Sequence, residues 1–477
     1  MTPPAALCFL VCRFSFANAL LCNAMERRVW SVSLLAVSVF GIQLWAAQRP
    51  TAPLSDLQNI IIIFQENWSF DSMFGFFPGA NGIANAGDAV KQEDQKGKRY
   101  ATLPQPIDTM QKPAIPDPRF PASLPVAPFD LAKYVKPEEQ TGDLRHRFYH
   151  QQFQINGGRM NRFVAWSDAG GLAMSYYDAQ DFPEGKLAKE FTLADNFFHA
   201  AFGGSFLNHM WLICACTPKW PGAPADMVAK LKGDELVVDG VVTPDGYAVN
   251  TAYPFYKPYP ANASDPERRV PPQTALTIGD RLNQRNISWR WYGGGYDDAM
   301  AGKPDPLYQY HHHPFVYFEN YKDGSENRQE FLKDEKNFYE DLKAEKLPSV
   351  SFIKLLALDN EHPGYTSLMR GQERVTDIVR QVRESPYWMK SAIFIVYDEN
   401  GGRWDHVAPP KVDRWGPGAR VPAIIVSPFA KKGYVDHTPY DTTSLLAFIE
   451  NRWNLRPIAT RDAMVQNLMN AFEFRGR

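Results

Sequence analysis

Apolar residues in this chain gather into short, unbroken runs that end abruptly at acidic or amide side chains. Asn59–Phe64 leads into Gln65, Glu66 and Asn67, and Ala392–Tyr397 leads into Asp398, Glu399 and Asn400. Runs of this length, rich in β-branched residues and without polar alternation, predict strands buried on both faces. Phe191–Asp195, Ser288–Tyr292, Ser349–Lys354 and Val421–Val426 read as further strands. Helical spacing is found in Gln372–Glu384, where Val375, Ile378, Val379 and Val382 share a face, and in Thr442–Trp453 with Asp441 as N-cap. Gly158–Ala165 and Gly185–Glu190 also have helical character, and Ser205 opens an apolar helix through Phe206, Leu207, Met210 and Trp211. Strands alternating with helices predict an α/β fold with a doubly wound, mainly parallel sheet. Ligands bind beyond the carboxyl ends of such strands, so the polar groups after Asn59–Phe64 and after Ala392–Tyr397 are expected to converge.

Two stretches break the pattern. Residues 76–140 and 217–275 are rich in proline, glycine and polar residues, and they predict long insertions over the strand ends of one domain spanning 55–477. At the other extreme, MERRVWSVSLLAVSVFGIQLWAAQ begins with a short basic segment, continues apolar from Val29 to Trp45, and closes on Ala46-Ala47. That is the layout of a secretory signal peptide over 25–47, with a membrane anchor as the other reading, and it predicts a periplasmic or secreted protein. Residues 1–24 then read as a misassigned upstream start.

The 477 residues are 44% hydrophobic and 22% charged with a formal net charge of −2, ordinary for a globular protein with a sizeable core. This balance gives no support to nucleic-acid binding, which usually shows a basic stripe. Of the five cysteines, Cys8, Cys12 and Cys22 precede the presumed mature chain. Cys214 and Cys216, two residues apart, are expected to be small buried hydrophobes and not a disulfide, because so short a span is awkward to bridge.

Candidate chemistry centres on three features. Gly203-Gly204 allows a sharp turn before Ser205, whose hydroxyl at a helix start faces free N–H groups that favour an anion. Such a serine can attack phosphorus if a metal lowers its pKa, and it can equally be an ordinary N-cap. Histidines, only ten in all, recur in motif-like settings at His146, His311–His313, His362 and His406. They suit binding of phosphate oxygens and protonation of a leaving alkoxide. Finally, Glu66, Asn67, Asp398 and Glu399 follow strand-like runs where unpaired acids are costly, which favours a hard divalent cation over turn capping.

QENWSFDSMFG resembles the E-N-R-S-F-D-x-x-F-G opening of the bacterial phosphoesterase family that contains non-haemolytic phospholipases C and related acid phosphatases. The resemblance continues through NGGRMNRF, GGSFLNH, HHHPFVYF, DNEHPG, YDENGGRWDHVAPP and VSPFAKKGYVDHTPYDTTSLLAFIE, essentially over residues 57–457. It implies an alkaline-phosphatase-like core and one divalent ion, Ca²⁺, Mg²⁺ or Mn²⁺, on Glu66, Asn67, Ser205, Asp398 and Glu399. It also implies Ser205 as nucleophile, with His146, His312 and His362 on the phosphate and His406 in a secondary place. G-G-S-F-L-N-H departs from the G-P-[TS]-x-P-N-R of phospholipase-type members and resembles the acid-phosphatase branch; Trp68 stands where the family usually has arginine. The expected activity is phosphomonoester hydrolysis with an acidic to neutral optimum. A phospholipase C acting on membrane lipid, favoured by any apolar rim from the insertions, and a non-enzymatic phosphate- or sugar-binding surface protein are the alternatives. Expected partners are thus a small phosphomonoester or a phospholipid, with transient membrane contact in the latter case.

Overall fold

The structure is a computed structural model that describes residues 52–233 and 235–474, so the signal-peptide and upstream-start readings fall outside the described residues. Eight strands form the central sheet: β1 (Asn59–Gln65), β2 (Thr192–Ala194), β3 (Trp289–Gly293), β4 (Leu332–Asp334), β5 (Val350–Lys354), β6 (Ser391–Tyr397), β7 (Ala423–Val426) and β8 (Tyr434–Asp436). Their spatial order is β4-β3-β5-β1-β6-β7-β2-β8. Every neighbouring pair is parallel except the two that involve β7. The mainly parallel α/β sheet is therefore as expected, with one reversed strand whose direction an apolar run such as VPAIIV cannot announce. The three-residue strands β4 and β8 are too short to leave a sequence signal.

All residues of β1 and β6 are buried, which for strands on both faces means that both sides of the sheet are covered. The helices that matter here are α1 (Phe70–Phe74), α2 (Phe148–Ile155), α3 (Pro183–Glu190), α4 (Ser205–Cys214), α5 (Leu368–Arg383) and α6 (Thr443–Trp453). Helix α5 packs on α3, and α4 packs on α6. Asp441 caps α6 from one residue further out than usual: its Oδ1 accepts from Thr443 N at 2.7 Å.

Two expectations fail. Gly158–Ala165 is not a helix: Asn156, at φ 49°, ends α2, and Gly157, Gly158 and Met160, with φ of 67°, 97° and 54°, turn the chain onward. Cys214 and Cys216 are joined in a disulfide. Ala215, at φ 45° and ψ 40°, reverses the chain at the end of α4 and brings the two cysteines face to face. The segment 76–140 is a meander with two-residue ladders, Leu103–Pro104 on Ser123–Leu124 and Ile107–Asp108 on Ile115–Pro116. In the segment 217–275, Lys230–Lys232 pairs with Glu235–Val238 in a small hairpin.

Candidate active site

The site is built by register. β1 and β6 run side by side from Asn59 opposite Ser391 to Gln65 opposite Tyr397, so Glu66-Asn67 and Asp398-Glu399 leave adjacent strands at the same level. Asn67 has φ 63° and its N–H donates to Asp398 Oδ1 at 3.2 Å. Gly401, at φ 60°, has Asn67 O where a Cβ would lie only 2.3 Å away, so any side chain there would push the two strand ends apart.

Ser205 comes to this point from the start of α4. It is not a cap, since Gly204 holds the N-cap position; its hydroxyl instead donates to Glu66 Oε2 at 3.0 Å. The preceding glycines make the approach possible. A Cβ at Gly203 would sit 2.6 Å from Phe148 N, and one at Gly204 would sit 2.9 Å from His146 O. The same contact sets His146 beside the serine loop. The 217–275 insertion secures this stretch: Asp239 pairs with Arg147, and Asn250 Oδ1 accepts from Phe148 N at 3.0 Å.

Three histidines face the acids. His146 Nδ1 donates to Leu144 O, leaving Nε2 3.7 Å from Glu399 Oε1. His362 Nδ1 donates to Pro363 O at 2.6 Å, so its Nε2 accepts from Asn67 Nδ2 at 2.9 Å and lies 3.9 Å from Glu66 Oε2. The two rings are 6.0 Å apart. His312 Nε2 is 2.9 Å from Glu66 Oε1. Of its neighbours, His313 stacks on Tyr296 with centroids 4.0 Å apart, a packing role, and His311 lies edge-on to His312. His146, with 19% of its side chain exposed, is at the rim; His312, His362 and Ser205 are buried.

His406 is not in this group. Its Nδ1 donates to Asp71 Oδ2 at 2.6 Å, and with Asp405 and Arg420 it forms a second buried cluster. Trp68 does not point into the site either: its Nε1 donates to Glu361 O at 3.1 Å, and the Arg403 guanidinium lies 3.9 Å over its ring.

Electrostatics divide the carboxylates. Burial and the Glu66 charge push Asp398 well up, and burial and the Asp398 charge push Glu399 well up. Burial acts on Glu66 too, but the Lys354 ammonium and His312 outweigh it and hold that carboxyl well below its usual range. Burial, with Lys354 nearby, lowers His312 to about 4, so it is a neutral imidazole at pH 7 and not the imidazolium expected of it.

The donor set fits a divalent ion. Asn67 Oδ1, Asp398 Oδ2 and Glu399 Oε1 are buried oxygens with no hydrogen-bond partner. Buried acceptors are seldom left so, and oxygen donors of this kind are the type hard cations take. Among the described residues, three groups could hold a metal ion: Glu66/His209/His312, Asp143/His146/His362 and Asp71/Asp405/His406.

Residues 57–456 match the model of the phosphoesterase family. The chain belongs to the phosphoesterase family. The resemblance read from the motifs is thereby borne out. This phosphoesterase is 28% identical to a non-hemolytic phospholipase C of Burkholderia pseudomallei over 90% of its own length and 60% of the relative's. It is 24% identical to a non-hemolytic phospholipase C of Pseudomonas aeruginosa over 93% of its own length and 61% of the relative's. It therefore spans about three-fifths of these two relatives. A Vibrio parahaemolyticus protein of the alkaline phosphatase superfamily resembles it with a TM-score of 0.35 and 9% identity, covering 70% of this chain and 73% of that one. Among the described residues, no helix of the phosphoesterase is long and apolar enough to cross a membrane.

Two residues of the phosphoesterase site escaped sequence reasoning. Lys354 ends β5, is fully buried, and places its ammonium against Glu66 Oε1. His209, one turn into α4, donates from Nδ1 to Ser205 O at 2.7 Å and stacks on His312 with centroids 5.0 Å apart. A lysine closing an apolar run was the only available signal for the first. The i, i+4 spacing from Ser205 was the signal for the second.

Proposed function

We propose that this phosphoesterase hydrolyses phosphomonoesters through a phosphoserine on Ser205, at a centre that holds one divalent ion on Glu66, Asn67, Ser205, Asp398 and Glu399. The observation that carries this reading is the Ser205 hydroxyl, 3.0 Å from Glu66 Oε2 at the start of a ten-residue helix, amid buried oxygens that lack partners. The bound ion would lower the pKa of the serine hydroxyl and of an attacking water.

Ser205 Oγ attacks phosphorus in line, forming the new P–O bond as the bond to the leaving oxygen breaks. Its proton is already directed at Glu66 Oε2. The first-turn N–H groups of α4 have no helical partner and would receive the dianion of the phosphoserine. His146 and His362, each with Nε2 turned inward by a hydrogen bond at Nδ1, hold nonbridging oxygens once protonated at Nε2, His362 giving up the bond it accepts from Asn67, and one of them protonates the leaving alkoxide. His312 contributes as a neutral hydrogen-bonding imidazole. Water then attacks phosphorus, giving a proton to the histidine that had protonated the alkoxide, and Ser205 leaves, taking back the proton held at Glu66 Oε2. A proton donor of this type supports an acidic to neutral optimum, and a kcat/KM profile flat from about pH 5 to 9 would remove it.

Ser205→Ala is expected to reduce turnover by on the order of 10³-fold or more while fold and metal content persist. Survival of activity in a folded, metal-loaded variant would end the nucleophile role.

A second reading, cleavage of a phospholipid diester, is favoured by the names of the relatives and by one surface feature. The hairpin of the 217–275 insertion, tied to the His146 loop through Asp239 and Arg147, exposes Leu231 (39%), Val237 (57%) and Val238 (44%) beside exposed Lys230 and Lys232. Apolar tips flanked by lysine suit a lipid surface. Turnover of p-nitrophenyl phosphate against phosphatidylcholine vesicles separates the two readings. Export is proposed as well, supported by the layout of 25–47 and by a disulfide of the kind that persists in oxidising compartments. N-terminal sequencing of protein recovered outside the cytoplasm checks the cleavage site.

A further inference from the structure

Lys354 has no part in the scheme above, yet it is one of the most improbable residues in the molecule. A buried ammonium costs several kcal/mol unless it is closely paired. β5 lies in parallel register with β1, Ile353 opposite Ile63, so the next residue, Lys354, stands beside Phe64. From there Nζ donates to Phe64 O at 2.9 Å and pairs with Glu66 Oε1. Glu66 is thus divided: Oε2 faces Ser205, and Oε1 faces Lys354 and His312.

On that second side, Glu66, His209 and His312 each offer a ligand atom within 4.8 Å of the others. Two imidazoles and a carboxylate form a donor set that binds divalent transition metals. His209 Nε2 is buried without a hydrogen-bond partner, and His312 Nε2 faces Glu66 Oε1 at 2.9 Å. The ammonium sits against Glu66 Oε1, the carboxylate oxygen of this set, where its charge opposes a second cation.

We propose that Lys354 is a built-in cation that closes a second metal site on Glu66, His209 and His312, and so keeps the centre mononuclear. This rests on the reading that one ion is held by Glu66, Asn67, Ser205, Asp398 and Glu399. Lys354 is a positioning residue: it fixes which carboxylate oxygen of Glu66 is left for Ser205 and the resident ion.

The test loads the full chain with Mn²⁺ and reads stoichiometry by elemental analysis and coupling by electron paramagnetic resonance. Wild type is expected to bind one Mn²⁺ with a simple mononuclear spectrum. Lys354→Met is expected to bind two, with the exchange-coupled spectrum of ions sharing Glu66, and Lys354→Met/His209→Ala is expected to return to one. Lys354→Arg, which keeps the charge, is expected to stay at one. A folded Lys354→Met protein that binds a single uncoupled Mn²⁺ would overturn the proposal. Should Lys354→Met not fold, His209→Ala in the otherwise unchanged chain decides: Mn²⁺ affinity within about threefold of wild type supports a closed site, and a loss beyond tenfold makes His209 a ligand of the resident ion and overturns it. Wild type that binds no Mn²⁺ at all would instead sink the parent reading.

Discussion

The two halves of the same motifs build two buried acid clusters that resemble each other in composition and differ in completeness. Glu66 and Asn67 enter the candidate active site, while Asp71, a few residues on, enters the second cluster; Asp398 and Glu399 divide likewise from Asp405 and His406. In the second cluster every carboxylate oxygen has a partner. Asp71 Oδ1 accepts from Arg420 Nη2 at 2.9 Å and Oδ2 from His406; Asp405 Oδ1 accepts from Arg420 Nε at 2.9 Å and Oδ2 from Asp71 N at 3.1 Å. Arg420 is itself fully buried and also donates to the Asn81 and Asp195 carbonyls. In the first cluster, Asp398 Oδ2, Glu399 Oε1 and Asn67 Oδ1 are left over. An acid cluster whose oxygens are all paired is architecture, and one with oxygens left over is a receptor. The unpartnered oxygen distinguishes them where a count of Asp, Glu and His does not.

The comparison is most exposed at Arg420. Arg420→Leu strips the counter-charge from Asp71 and Asp405 and is expected to cost about 3–5 kcal/mol of stability, because two buried carboxylates are left uncompensated. Urea unfolding measures it, and a loss below about 1 kcal/mol would show that the second cluster is not held by charge pairing. A smaller effect of the same sign is expected for Asp71→Asn, roughly 1.5–3 kcal/mol, through the weakened charge-assisted bonds to Arg420 and His406. Metal content should remain at one ion in both variants that fold.

Asp398→Asn should move the metal-free protein the other way. Removing one of three neighbouring buried acids relieves a carboxyl that burial and the Glu66 charge make costly to ionise, and a gain of about 1 kcal/mol is expected in chelator-treated protein. Cation affinity, by contrast, should fall by on the order of 10²-fold as a charged ligand is lost. If Asp398→Asn and Asp71→Asn destabilised the metal-free chain alike, the two clusters would not differ in kind.

Much of this contrast was legible in the chain before its structure. The runs ending at Glu66 and Asp398 fixed two strand ends, and parallel pairing of β1 with β6 followed from their being buried on both faces. Ser205, His146, His312 and His362 stood out as rare residues in glycine- and proline-marked turns, and they do meet at those ends. What stayed hidden was partnership. Nothing in RWDH told that His406 would be consumed by Asp71, because its partner Arg420 lies in a different block. Lys354 carried no signal beyond closing the run Ser349–Lys354, since a lysine's burial depends on a charge 288 positions away in Glu66. Local φ values defeated two further readings: the left-handed Gly157, Gly158 and Met160 broke a helix that residue types favoured, and the left-handed Ala215 made possible a disulfide that spacing argued against.

The subtlest difference between the clusters is in their response to pH. Asp398 and Glu399 are raised well above their ordinary values in the metal-free fold, chiefly by burial, whereas in the unfolded chain they titrate near pH 4. Above that pH the native state therefore binds more protons than the unfolded state, and these two groups withdraw stability as pH rises toward their folded pKa values. Buried His312, lowered to about 4, acts in the opposite sense: between about pH 4 and 6.5 the unfolded chain takes up a proton there that the fold refuses, so its contribution grows with pH. A total stability curve mixes the two. The rise in Tm on adding Mn²⁺ isolates the carboxylates, because the ion displaces their protons and little competition remains once they are ionised. The Mn²⁺-induced rise should be several degrees larger at pH 8 than at pH 5. It should vanish in Asp398→Asn/Glu399→Gln and persist in Asp71→Asn. Equal rises at the two pH values would mean that no proton is held where the ion binds, and the receptor cluster would then be as satisfied as its neighbour.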